Sequence, residues 1–297
     1  MELGGTLPIR IVSIVFPLFA IATLGFFIGR RMRPDLSHAN ELNMDVFVPA
    51  LVFSAVASKD FRIGEFASLS LSVLLIVVGS GVLAWIVARI AKIDTKTFVP
   101  PIMFNNVGNL GLPLSVLAFG PAALTPAVVM FMTSNFTHFS FGNWLLDHRQ
   151  RLLTIWRVPS VAAMVLGLAV SAVGIEVWPP LMLALKMLGD ISIPLMLFSL
   201  GVRLSSANFE SWRVGALAAI VRPVVGLALA LVVSWLIPLP PDQRPLLFVF
   251  SVLPPAVLNY IFAERYQQEP DKVASMVLIG HLASIAVLPA MLALVLP

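Results

Sequence analysis

The sequence has no cysteine. Disulfides, thiolate metal sites and cysteine nucleophiles are therefore excluded, while the redox compartment stays undetermined. Charge is also scarce. Asp, Glu, Lys and Arg supply 11% of the 297 residues, where a soluble domain carries about 25%. Only four histidines occur, His38, His138, His148 and His281, and their scatter offers no obvious metal site. H-E-x-x-H, an Asp-rich diphosphate motif and a P-loop are missing, so neither an intramembrane zinc protease nor an ATP-driven machine has support. A non-enzymatic chain with no cofactor and no metal is expected.

What is abundant is apolar. Hydrophobic residues make up 59% of the chain, and the mean hydropathy is +0.97. This places the chain in the membrane class, with the lipid bilayer as its first partner. The formal charge of +4 then reads as a topology signal, not as a nucleic-acid patch, and no nucleic-acid partner is expected.

Apolar stretches of spanning length fall near 9–29, 40–58, 66–90, 97–119, 122–146, 158–177, 180–202, 213–237, 245–265 and 272–296. Backbone inside a bilayer must satisfy its own hydrogen bonds, and runs this long are too apolar throughout for barrel strands. The expected fold class is an all-α polytopic membrane protein with ten transmembrane helices. The first stretch carries weak signal-peptide features, Arg10 and the small-x-small AIA at 20–22. It runs on to Ile28, however, and its strong positive cluster, RRMR at 30–33, follows it, so it reads as a retained helix.

Lysine and arginine set the orientation. One side of the expected spans holds Arg30, Arg31, Arg33, Arg89, Lys92, Lys96, Arg149, Arg151, Arg157, Arg203, Arg213, Arg265 and Lys272; the other holds Arg10, Lys59, Arg62 and Arg244. The basic side should be cytoplasmic. The expectation is a multi-pass protein of the cell inner (plasma) membrane with both termini outside the cytoplasm.

The chain also repeats. FVPALVFS at 47–54 parallels SIPLMLFS at 192–199, each in the second helix of a five-helix half. The halves are 1–146 and 158–297, joined by a basic linker, 147–157. An odd number of spans makes the second half enter the membrane in the opposite sense, the inverted-repeat plan of many secondary transporters.

Two stretches interrupt their own spans. FNNVGNLGLP at 104–113 puts three asparagines, two glycines and a proline inside an apolar run, and SVLPPAVLNY at 251–260 occupies the matching span of the second half. Proline removes a helix hydrogen bond and clashes with the preceding turn. A helix broken in the membrane frees N–H groups and carbonyls, which is tolerated only in buried protein or along a cavity. The new N-terminus carries partial positive charge and suits an anion. Asn105, Asn106, Asn109 and Asn259 can donate to substrate oxygens, Gly108 and Gly111 permit close approach, and Pro113, Pro254 and Pro255 mark the breaks. The simpler alternative is a pair of proline kinks with asparagines that only bind helices together.

The stretch LPPAVLNYIFAERYQQEPDKVASMVLIGHLASIAVLPAMLALVL at 253–296 resembles the last two helices of the auxin efflux carrier family. NNVGNLGLPL at 105–114 resembles its fourth-helix motif, and IPLMLFSLGVRL at 193–204 its seventh helix. The family includes plant PIN-FORMED auxin exporters and bacterial malate and malonate permeases. The short linker resembles the bacterial branch, because the long central loop of the plant members is missing. The resemblance implies a scaffold of helices one, two, six and seven, and a transport core of helices three to five and eight to ten. The broken fourth and ninth helices would cross, and the core would slide in an elevator-like motion. It also implies that Asn106 matches a carboxylate-binding asparagine and that Pro113 and Pro254 match the crossover prolines. Small organic carboxylates are the implied cargo, and a homodimer the implied assembly.

Other polar residues inside the spans are candidates for coupling or accessory roles. Lys186 and Asp190 lie four apart on one helix face and can neutralise each other. Arg222 precedes Pro223 and can attract an anion or cap freed carbonyls. His138 follows Thr133, Ser134 and Asn135 in the fifth span, and His281 and Ser284 lie in the tenth; either histidine can carry a coupling proton or simply bind a neighbouring helix. Asp45 is a similar case. Gly25 and Gly29 allow close helix packing. The leading reading is a secondary transporter of small organic anions. The alternative is a sodium- or proton-coupled symporter like the bile-acid transporters; no acidic residue within either broken stretch favours sodium. A channel or a receptor would keep the site without alternating access.

Overall fold

The computed structural model describes residues 6–57, 63–146, 158–206 and 210–296. The expected linker 147–157 lies outside the described residues. Regular structure among the described residues is helical, with a single isolated antiparallel bridge between Asn105 and Pro255.

Helix α1 covers Leu7–Met32; α2 (Ser37–Leu42) runs through a wider π turn, Asn43–Phe47, into α3 (Val48–Val56); α4 covers Ile63–Ala91. Next come α5 (Thr95–Met103), a π turn at Val107–Gly111, α6 (Leu112–Phe119) and α7 (Leu124–Thr137), which passes through a third π turn, His138–Gly142, into α8 (Asn143–Leu146). The second half holds α9 (Pro159–Val173), α10 (Pro179–Ser206), α11 (Trp212–Leu236), α12 (Gln243–Val252), α13 (Leu258–Arg265) and α14 (Pro270–Val295).

Five of these, α1, α4, α10, α11 and α14, are long and apolar enough to cross a membrane. The remaining apolar stretches are shorter helices or helices in pieces, and the chemistry of the pieces is local. Leu253 precedes Pro254, and the proline ring pushes it to extended backbone (ψ 144°), which ends α12. Phe104 is extended at the end of α5, and Asn106 caps the next turn by accepting from the Asn109 N–H. Pro113 cannot donate to Asn109, four residues back, and its ring presses on that carbonyl, so the preceding turn widens.

Helix α1 lies along α10, and α3 packs on α9 and α10. Glycine makes the first contact this close: a Cβ on Gly201 would sit 1.9 Å from the Ala22 carbonyl oxygen, and one on Gly25 would sit 2.2 Å from that of Phe198. Gly25 and Gly29 are therefore used within the chain. A second group forms around α4, α11 and α14, with α5, α7 and α12 packed on them. Large apolar side chains such as Phe16, Trp85, Trp178, Trp235 and Leu294 cover the outside, as expected of a surface that faces lipid.

Candidate functional site

The two interrupted stretches meet in the middle of the fold. Asn105 faces Pro255, flanked by two hydrogen bonds: the Asn106 N–H donates to the Pro254 carbonyl (2.8 Å) and the Ala256 N–H to the Phe104 carbonyl (3.0 Å). Pro255 occupies the non-hydrogen-bonded position of this short antiparallel pairing, so its missing N–H costs no bond.

Side chains close the broken carbonyl ends. Asn105 Nδ2 donates to the Phe250 carbonyl (2.6 Å), and Asn259 Nδ2 donates to those of Phe104 and Ala256 (3.0 Å each). Arg222, only 1% exposed, donates through Nη1 to the Ser251 carbonyl (2.9 Å) at the end of α12. The N–H ends are left open. Among the described residues, no acceptor pairs the backbone N–H groups of Val107, Gly108, Val257 or Leu258.

Beside this meeting point lies a cavity of about 180 Å³. Gly108, Val257 and Leu258 line it, as do Asn105, Asn106, Asn109 and His138. Its other polar walls are Asn40, Asn43, Asn135, Ser199 and Arg203, and no Asp or Glu is among its lining residues. The buried His138 ring lies by the Asn259 amide, and among the described residues no hydrogen-bond partner meets the buried Oδ1 of Asn43, Oδ1 of Asn105 or Oγ of Ser199. Such atoms cost about 1–3 kcal/mol each unless a ligand or water pairs them. Two other cavities, of about 370 Å³ beside Trp85 and about 230 Å³ between α1, α10 and α14, are walled mainly by apolar groups.

The sequence-expected residues divide into those the cavity brings together and those it does not. Asn105, Asn106, Gly108, Asn109 and His138 line it. Pro254, Pro255 and Asn259 build the wall behind it, and Gly111 packs against Leu253. Pro113 lies in the first turn of α6 and is not among the residues that line the cavity. The His138 ring stacks on Phe104 at 4.0 Å, meets the edge of Phe262 at 5.2 Å and lies by the Asn259 side chain, so its orientation is fixed. His281 Nε2 lies 2.8 Å from Asn106 Nδ2. Ser284 donates to the His281 carbonyl and shares a small cavity of about 10 Å³ with Arg222, Pro254 and Pro255. Lys186 and Asp190 are exposed on α10, away from the cavity, and no ion pair joins them.

Asn40, Asn43, Ser199 and Arg203 were not singled out from the sequence. A usable signal was present. Met196, Ser199 and Arg203 are spaced for one face of α10, and Asn40 and Asn43 lie three apart where α2 runs into its π turn.

The sequence profile of a family described as membrane transport protein matches residues 10–137 and 145–292. An uncharacterized transporter from Methanocaldococcus jannaschii is 23% identical over 300 residues, which cover 95% of this chain and 97% of the relative. With nearly its whole length matched, the chain belongs to the membrane transport protein family, that of the auxin efflux carriers, and is a multi-pass membrane transporter.

Proposed function

We propose that the protein is a secondary transporter of small organic carboxylate anions, with the cargo held where the fourth and ninth spans cross. The observation that carries this reading is that Gly108, Val257 and Leu258, whose backbone N–H groups have no acceptor among the described residues, all line one cavity with no Asp or Glu among its lining residues. Two half-helix N-termini add partial positive charge there. Arg203 adds a full one. The open N–H groups suit carboxylate oxygens, and the unpaired asparagine oxygens suit a hydroxyl group or a bound water. The volume suits a short acid better than a drug-sized molecule, for which about 300 Å³ or more is usual.

The same reading includes two inverted five-helix repeats, 1–146 and 158–297, and an elevator motion. Packing supports the scaffold and core grouping that an elevator needs, because α1, α3, α9 and α10, drawn from both halves, contact one another more than they contact the group around α4, α11 and α14. Sodium coupling has less support than proton coupling. Freed carbonyls at the end of a half-helix are the usual sodium ligands, and at α12 the Asn105 amide and the Arg222 guanidinium already cap them.

The test is flux in proteoliposomes with labelled malate, malonate and indole acetate. The short acids are expected to move faster than indole acetate. Asn106→Ala is expected to lower that flux by about 10-fold or more while the protein stays folded, corresponding to roughly 1.4 kcal/mol. Undiminished flux in Asn106→Ala would leave the asparagine as helix glue and move the site elsewhere.

A further inference from the structure

Resting on that reading, we propose that His281 is a proton-linked positioning residue that sets which atoms of the Asn106 amide the cargo meets. The local hydrogen bonds leave no free choice of orientation. His281 Nδ1 lies 2.7 Å from the Val277 carbonyl, which only accepts, so Nδ1 carries the hydrogen. Nε2 then presents its lone pair, and Asn106 Nδ2 donates to it across 2.8 Å. At the other end of the amide, Oδ1 accepts from the Asn109 N–H, which only donates (3.2 Å). A neutral ring and this amide orientation therefore require each other.

A proton added at Nε2 breaks the arrangement, because two donors then face each other. If the amide turns over, Oδ1 accepts from the charged ring, but Nδ2 meets the Asn109 N–H. If it swings away, both the ring and Asn109 lose their partner. In each case the Asn109 N–H is released at the same half-helix N-terminus that already carries the open N–H groups of Val107 and Gly108. The cavity gains a donor, and a positive charge stands behind Asn106. An anion then binds more tightly, and an anion in place offsets a charge that would be costly to bury alone. The balance is one proton taken up at Nε2 with one anion and given back when the anion leaves.

The surroundings fit this role. His281 is buried at 6% exposure, yet it lines the cavity between α1, α10 and α14, while Asn106 lines the cargo cavity. The pair thus joins two spaces, and the only polar side chain besides His281 in the second is Thr23. Among the described residues that line this second space there is no Asp, Glu, Lys or Arg. The buried cation on α11, Arg222, lies by Ser284, one turn further along α14, and His138 lies on the side of Asn259.

The experiment compares wild type with His281→Gln, whose side-chain oxygen still accepts from Asn106 but holds no proton. Labelled malonate uptake is read between about pH 5 and pH 8, with and without an imposed pH gradient. Wild-type uptake is expected to rise several-fold toward acid and to run uphill on the gradient. His281→Gln is expected to keep downhill uptake with a flat pH profile and no uphill phase. A wild-type profile in His281→Gln overturns the proposal. A second measurement needs no cargo: side-chain ¹⁵N NMR of the histidines in wild type and Asn106→Ala. The His281 titration midpoint is expected to move when the amide is removed. An unmoved midpoint, or a ring that never titrates while the fold survives, overturns the linkage. A moved midpoint without malonate flux upholds the linkage and counts against the cargo reading alone.

Discussion

At the scale of single residues, the cavity depends on one cation. Arg203 lies near the end of α10 and lines the cavity, and its charge is felt by Glu264 and Tyr260 on α13. Tyr260 donates to Glu264 (2.5 Å), so Arg203 shares the Glu264 charge with the tyrosine while lining the cavity. Arg203→Gln is expected to raise KM for a transported carboxylate about 10-fold, roughly 1.4 kcal/mol, with a smaller change in kcat. Arg203→Lys should recover only part, since an ammonium lacks the planar fork. Proteoliposome kinetics separate the two parameters; an unchanged KM in Arg203→Gln would place the side chain outside the cargo's reach. Residues of this kind were the hardest to read from sequence. Asn105, Asn106, Asn109 and Asn259 stood out because polar groups in an apolar run need a reason. Arg203 did not, because a basic residue at the end of a span reads as a topology signal. Asn43 was passed over for Asp45, yet Asn43 is buried in the cavity wall and Asp45 is exposed. The π turn at Asn43–Phe47 inserts extra backbone per turn and so changes which side chains face inward.

At the scale of elements, breaks were legible and their geometry was not. The Pro254–Pro255 pair disfavours helical backbone at Leu253, so a break there is expected, although the Pro100–Pro101 pair is carried inside α5. The three π turns, all of which contribute to the cavity wall, depend on how neighbouring helices press on them, and local sequence does not encode that. The broken end of α12 also needs a helix at unusually short range. A Cβ on Gly226 would fall 1.8 Å from the Ser251 carbonyl oxygen and 2.6 Å from Arg222 Nη1. Gly226→Ala is therefore expected to destabilise the fold by about 1–3 kcal/mol or more through overpacking. Gly64→Ala, with open space around it, is the control expected to stay near wild type. Thermal unfolding in detergent compares them, and equal midpoints would show that α11 can retreat freely from α12.

A second element-level contact ties the turn before α14 to the start of α5. Thr97 Oγ1 donates to Glu269 Oε2 (2.6 Å), Gln268 donates to Thr97 (3.0 Å), and Lys272 pairs with Glu269. Burial pushes the Glu269 carboxyl up, but the bonds from Lys272 and Thr97 outweigh it and hold the group below its ordinary value. The unfolded chain then binds the proton more readily. This contribution to stability is present above the ordinary carboxylate range and fades as pH falls through the folded value. Glu269→Gln should remove that part of the acid-side loss, so its unfolding midpoint falls less steeply than the wild type's below neutral pH. Parallel curves would assign the acid limb to other carboxylates.

At the scale of the whole molecule, two opposite charges are left over. Lys186 and Asp190 are four apart on α10 and exposed, amid the exposed apolar side chains of Leu183, Met187 and Ile191. Within a hydrocarbon layer such charges are costly unless paired, and no ion pair joins them within the chain. A second copy related by a two-fold axis along the membrane normal would bring the same patch of α10 together from both copies, with each lysine meeting the partner's aspartate along a diagonal, one helical turn away. α10 belongs to the helix group with α1, α3 and α9, so a dimer formed there would anchor that group and, on the proposed elevator reading, leave the group around α4, α11 and α14 to move against it. The expected result is a dimer in mild detergent by light scattering, dissociated by Lys186→Asp or by Asp190→Lys alone and restored when both substitutions are combined. Restoration is the informative arm, because general damage to α10 would worsen in the double variant. A mass that stays constant through all three variants would instead place this face against lipid, with the two side chains reaching to the interface separately.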